Sequence, residues 1–142
     1  MSMLVDTTIW SLALRRRTSE LNRRERLLVQ EWASLVEAGR ILLIGPIRQE
    51  ILSGIRRESD FLAVRTRLSA FGCIEILPED YDQAAAFFNV CRGKGFAGTA
   101  IDLLICAVAA RADVPIFTTD EDFARYAKFL PIRLHKLPEI PD

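Results

Sequence analysis

The stretch Leu4-Val5-Asp6-Thr7-Thr8-Ile9-Trp10 near the amino terminus decides the reading of this chain. A short apolar run, Met3-Leu4-Val5, has the composition of a buried strand, and it stops abruptly at the carboxylate of Asp6. A charge placed at the mouth of a buried strand is costly unless something pairs with it. What Asp6 faces therefore depends on which other residues the fold brings to the same place.

Three more apolar runs resemble the first: Ile41–Ile44, Cys73–Leu77 and Pro115–Thr118, with a possible fifth strand at Ile132–Leu137. Helical patterns separate them. Asn22 with Glu25 three residues later makes a capping box for a helix running to about Ala38, with Gly39 as terminator. Gly45-Pro46 starts a helix over IRQEILSGI. Ser59 is placed to cap DFLAVRTRLSAF, which ends at Gly72. A helix follows from Glu79 to about Val90, then a GKGFAG loop at 93–98, then a helix over AIDLLICAVAARA capped by Thr99. DEDFARYA reads as a last short helix. Alternation of this kind predicts one α/β domain over residues 1–142 with a mostly parallel sheet.

The acids fall in a pattern relative to those strands. Asp6 follows the first, Glu50 lies in the helix after the second, and Asp120 and Asp122 follow the fourth; Asp102 lies in the first turn of the Thr99 helix. Open α/β sheets bind ligands in the crevice beyond the carboxyl ends of their strands, so these acids have one address available. Gathered there, like charges raise one another's pKa unless a hard cation such as Mg²⁺ or Mn²⁺ joins them. Each acid also has a plainer role: Asp102 completes a capping pair with Thr99, Glu50 suits a solvated helix face, and Asp120 suits a helix cap. Spacing leaves both readings open.

Composition narrows the function classes. The net charge is zero, but residues 1–71 carry +4 and residues 72–142 carry −4, so a polyanion meets the first half more favourably. Three dispersed cysteines and a lone histidine, His135, argue against a disulfide framework or a zinc site. Cys106 reads as a small buried hydrophobe. No run is apolar for long enough to cross a membrane and no signal peptide is visible, so a soluble, cytoplasmic protein is expected.

VDTTIW, IRQEILSGI, GTAIDLLICAVAA and IFTTDEDFARYA, in this order and at compatible spacing, resemble the successive motifs of PIN-domain proteins, above all the VapC-type toxins of bacterial and archaeal toxin–antitoxin pairs. The resemblance implies a three-layer α/β/α domain and an endoribonuclease dependent on Mg²⁺ or Mn²⁺. It also implies a homodimer held inactive by a cognate VapB-type antitoxin. Carried onto this chain, Asp6, Glu50 and Asp102 match the first three acids, and the fourth is Asp120 or Asp122, with Asp120 favoured. Asp6 and Asp102 are then direct metal ligands, Glu50 binds a second ion or positions water, and Thr7 and Thr119 match supporting hydroxyls. Attack by water leaves a 3′-hydroxyl and a 5′-phosphate. Arg15, Arg16, Arg17 and Lys94 are candidate RNA contacts, beside Arg23, Arg24 and Arg26 at the start of the next helix. Among the apolar residues of the first two helices, an exposed subset would seat an antitoxin helix, and one of Phe87 and Phe88 would face a dimer partner. A haloacid-dehalogenase-type phosphatase needs an acid where this chain has Thr8. The remaining alternative is a degenerate acidic-pocket domain, PIN-like or receiver-like, that binds metal or a protein without catalysis.

Overall fold

The computed structural model describes residues 1–136, so the last residue of the possible fifth strand lies outside the described part. Four parallel strands form one sheet: β1 (Met3–Val5), β2 (Ile41–Leu43), β3 (Gly72–Cys73) and β4 (Ile116–Phe117), in the spatial order β3-β2-β1-β4. Among the described residues, seven helices connect and cover them: α1 (Thr7–Leu14), α2 (Arg23–Glu37), α3 (Gly45–Leu52), α4 (Glu58–Leu68), α5 (Pro78–Gly93), α6 (Ala100–Ala112) and α7 (Asp122–Phe129). The result is the expected PIN-like α/β/α architecture. Both faces of the sheet are covered, so β1 and β4 are buried throughout and read as continuous apolar runs instead of alternating ones.

β1 is central. It pairs with β2 through Met3 and Leu4 and with β4 through Leu4 and Val5, and the Asp6 amide donates to the Phe117 carbonyl at 2.8 Å. That last bond fixes the register that places Asp6 beside the residues following β4. Trp10, fully buried one turn into α1, donates its indole N–H to the Val5 carbonyl at 3.0 Å. It packs edge-on against Trp32 and Phe71, so α1 is pinned at the strand's carboxyl end.

Several local signals work as their chemistry requires. The Asn22–Glu25 capping box is closed in both directions, at 2.8 and 3.0 Å. Gly39, at φ 68°, ends α2 by the left-handed turn that a glycine adopts without penalty. Thr99 accepts from the Asp102 amide at 3.1 Å and so starts α6.

Three expectations need correction. The strand expected over Cys73–Leu77 is only Gly72–Cys73, an exposed edge, with one further bond from the Ile74 amide to the Leu43 carbonyl. Beyond it the backbone is diverted: Arg111 donates to the Glu75 carbonyl at 2.8 Å, and Asp80 accepts from the Leu77 amide to start α5 at Pro78. Ser59 is not the cap of α4, which starts one residue earlier at Glu58 with Arg57 at the cap position; acidic Glu58 and Asp60 in its first turn favour the start electrostatically. The fifth strand is reduced to a single parallel bridge, Ile116 with Leu134, flanking β4.

Candidate functional site

The carboxyl ends of β1, β2 and β4 open on one cleft of about 580 Å³. Asp6, Glu50, Asp102 and Asp120 all line it, with Thr7, Thr8 and Thr119. The four acids come from four separate segments, so their meeting is a product of topology, not of local sequence. Among the described residues the compact set of carboxylates able to hold one ion is Asp102, Asp120 and Asp122, whose oxygens lie within 4.8 Å of one another; Asp6 and Glu50 line the same cleft outside that set, and Arg125 donates to Asp122 at 3.0 Å.

Asp6 is 6% exposed and sits under a roof of hydroxyls. Thr118 donates to its Oδ2 at 2.7 Å, and Thr8 donates to the same atom at a long 3.4 Å. The Thr118 Oγ1 also accepts from the Asp120 amide at 3.0 Å, so one side chain sets the first and fourth acids together. Thr7 donates to Glu50 at 3.0 Å. Thr119 lines the cleft, and its amide donates to the Thr8 hydroxyl at 3.2 Å. The hydroxyls that reach Asp6 are thus those of Thr118 and Thr8, which sequence reasoning did not single out.

Asp102 projects from the first turn of α6. Its Oδ2 accepts from the Tyr126 hydroxyl at 3.0 Å, and Tyr126 is 1% exposed between Phe123 and Phe96. Burial pushes the Tyr126 phenol well above its ordinary value, so it stays a proton donor at neutral pH.

The electrostatics are those of an acid cluster. Burial raises the Asp6 carboxyl above its ordinary 3.8, the Thr118 hydroxyl and the Thr7 amide oppose that rise, and the charges of Asp120 and Glu50 add to it. Burial likewise raises Asp102, the Tyr126 hydroxyl opposes it, and the charges of Asp6 and Asp120 add to the rise. Among the described residues, no Lys, Arg or His pairs with Asp6, Glu50, Asp102 or Asp120. An all-oxygen donor set whose one basic partner is Arg125, on Asp122, fits Mg²⁺ or Mn²⁺ and fits soft metals poorly.

The expected cations are divided. Arg16 lines the cleft, tied to Glu25 at 3.1 Å, and Arg24 lines it as well. Arg15 instead lines a separate groove with Leu14, Ile55 and Val64. Arg17 is exposed before the short 3-10 turn Thr18–Glu20, and Lys94 lies over the Phe129 ring, 5.5 Å from its centre. His135 pairs with Glu31 at 3.0 Å and is absent from the cleft lining. Cys106 is fully buried behind the site, and burial together with the Asp102 charge keeps it a thiol.

An α/β domain with a parallel sheet and clustered carboxylates at the strands' carboxyl ends defines a recognisable class. The PIN domain family model matches residues 3–129, and the chain belongs to that family. No curated protein matches it significantly in sequence. Solved structures share the fold at low identity. VapBC2 from Rickettsia felis, bound to a DNA fragment from its promoter, is similar at 16% identity, covering 95% of this chain and 98% of that one with a TM-score of 0.74. FitAcB from Neisseria gonorrhoeae is similar at 16% identity, covering 94% and 96% with a TM-score of 0.71. Mycobacterium tuberculosis VapC20, a sarcin–ricin loop cleaving toxin, is similar at 20% identity, covering 93% and 99% with a TM-score of 0.67.

Proposed function

We propose that this chain is a Mg²⁺- or Mn²⁺-dependent endoribonuclease and the toxin of a toxin–antitoxin pair. One observation carries the reading: Asp6, Glu50, Asp102 and Asp120 face one cleft, with burial and mutual repulsion raising Asp6 and Asp102 and no basic partner among the described residues. A divalent cation bound there supplies Lewis acidity and a water of lowered pKa. Asp6 and Asp102 would hold the ion, with Asp120 as the fourth acid and with Asp122, which shares the compact set with Asp102 and Asp120, beside them. Glu50, steadied by the Thr7 hydroxyl, binds a second ion or orients the attacking water. Hydrolysis breaks the bond from phosphorus to the 3′ oxygen and leaves a 3′-hydroxyl and a 5′-phosphate.

Arg16 and Arg24 on the cleft wall suit contact with phosphates flanking the scissile bond. The antitoxin partner is supported by likeness to a chain solved in a toxin–antitoxin complex from Klebsiella pneumoniae. Homodimerisation is supported by an apolar groove of about 370 Å³ where Phe88, Tyr81, Ile101 and Leu104 meet, while neighbouring Phe87 belongs to the core. No described helix is long and apolar enough to cross a membrane, and the cytoplasm, where RNA is abundant, is the proposed compartment.

The test is inducible expression of the chain in a bacterial host, alone and with any small open reading frame found next to its gene. The wild type alone should arrest growth, co-expression should relieve the arrest, and Asp6→Asn or Asp102→Asn should abolish it. Equal toxicity of all three proteins contradicts catalysis by this cleft.

A further inference from the structure

Resting on the metal-dependent reading above, we propose that Tyr126 is a positioning residue whose buried hydroxyl fixes the Asp102 carboxylate in its metal-binding orientation. Asp102 is held at two points of opposite kind. Its backbone is set by the Thr99 cap, which fixes where α6 begins, and its side chain is set by Tyr126, from α7, at 3.0 Å. The Thr99 cap sets the position of the α-carbon and its side chain also bears on the carboxylate, while the Tyr126 hydroxyl reaches Oδ2 from a separate helix and directs where it points. Tyr126 is suited to that task because it is itself immobilised. It packs edge-on against Phe123 at 5.3 Å and is stacked with Phe96 at 6.1 Å, and almost none of it is exposed.

The arrangement occupies one oxygen of Asp102 with a neutral donor, and the other oxygen remains for an ion. A phenol suits this better than a lysine or arginine would. A cation in the same place would neutralise the carboxylate and compete with the metal, whereas a hydroxyl orients the charge without cancelling it. The same logic appears at Asp6, where Thr118 and Thr8 donate to Oδ2, but there the orienting groups lie at the strand end beside the acid itself. Tyr126 differs in coming from a neighbouring helix, so α7 and the loop bearing Phe96 report directly on the geometry of the acid cluster. Groups that orient a metal's ligands typically contribute about 10–100-fold in metal affinity or activity.

The test uses the full chain, with Mn²⁺ affinity read by electron paramagnetic resonance in the absence of RNA. The proteins compared are the wild type, Tyr126→Phe and a remote core control, Leu35→Ala, each measured well below its unfolding temperature. The ring and its packing survive in Tyr126→Phe, so the variant removes one hydroxyl. It should bind Mn²⁺ about 10-fold more weakly. On RNA, kcat should fall while KM changes little, and Leu35→Ala should keep wild-type Mn²⁺ affinity despite its lower stability. If Tyr126→Phe binds Mn²⁺ as the wild type does, or if Leu35→Ala loses affinity equally, the positioning role is overturned and the metal site stands. If the wild type itself binds no Mn²⁺, the metal reading fails and the positioning role falls with it.

Discussion

Thr118→Val is the most informative small change in the molecule, because one hydroxyl serves two of the four acids. The wild-type Oγ1 donates to the buried Asp6 at 2.7 Å and accepts from the Asp120 amide at 3.0 Å. Valine keeps the shape and removes both bonds. A hydrogen bond to a charged acceptor contributes about 1.5–3 kcal/mol and a neutral one about 0.5–1.5 kcal/mol, so the ion-free protein should lose about 2–4 kcal/mol. At about 3 °C per kcal/mol for a chain of this size, Tm falls by about 6–12 °C. The Thr118 bond also opposes the upward shift of Asp6, so its loss should raise that carboxyl further above 3.8. Both effects can be read on one sample series: thermal unfolding by circular dichroism, and the Asp6 carboxyl titration by carbon-13 NMR. Thr118→Ser, which keeps the hydroxyl, should restore most of both. A Thr118→Val protein with unchanged Tm and an unchanged Asp6 titration would refute the claim that this hydroxyl organises the cluster.

Other consequences follow from the same charges. Asp6 and Asp102 both have raised carboxyls, so the stability they contribute is present below the ordinary value of 3.8 and is lost as pH rises through their raised values. The ion-free protein should therefore lose Tm as pH rises above 3.8, and saturating Mg²⁺ or the Asp6→Asn/Asp102→Asn double variant should flatten that slope; an equal slope in all three contradicts the origin assigned to it. Asp80 has the opposite sign, because its side chain bonds to Arg111 at 2.8 Å and its carboxyl is held below 3.8. Its stability is present above 3.8 and lost as pH falls through the depressed value, so Asp80→Asn should lower Tm at neutral pH and weaken the acid limb in a pH series. Gly98→Ala should cost about 1–3 kcal/mol by urea unfolding, since a Cβ there would lie 2.8 Å from Cδ1 of Leu103, which is fully buried and has little room to yield.

Much of this site could be read from the residues alone, and the reasons are local. Asp6 closes an apolar run, and an acid at the end of a buried strand points to the crevice whatever the rest of the chain does. Thr99 with Asp102, and Asn22 with Glu25, declare helix starts by spacing that the backbone then obeys. Less could be read where long-range packing decides. Thr118 and Thr119 are adjacent and chemically alike, and only the bond from the Asp6 amide to the Phe117 carbonyl determines which of them reaches Asp6. Tyr126 and Asp102 are 24 residues apart and meet only because α6 and α7 both pack on α5. The Cys73–Leu77 run has strand composition throughout. At the sheet's edge, however, capture of the Glu75 carbonyl by Arg111 competes with pairing, and the strand ends early.

The proposed mechanism requires the acids at the carboxyl ends of β1 and β4 and at the start of α6 to form one divalent-cation site. Anomalous diffraction from crystals soaked in Mn²⁺ tests it most directly. An anomalous peak shared by Asp6, Asp102 and Asp120 is expected, with no peak there in Asp6→Asn crystals soaked the same way. A wild-type crystal with no peak in this cleft, or with Mn²⁺ held by Asp102, Asp120 and Asp122 while Asp6 stays apart, would contradict it.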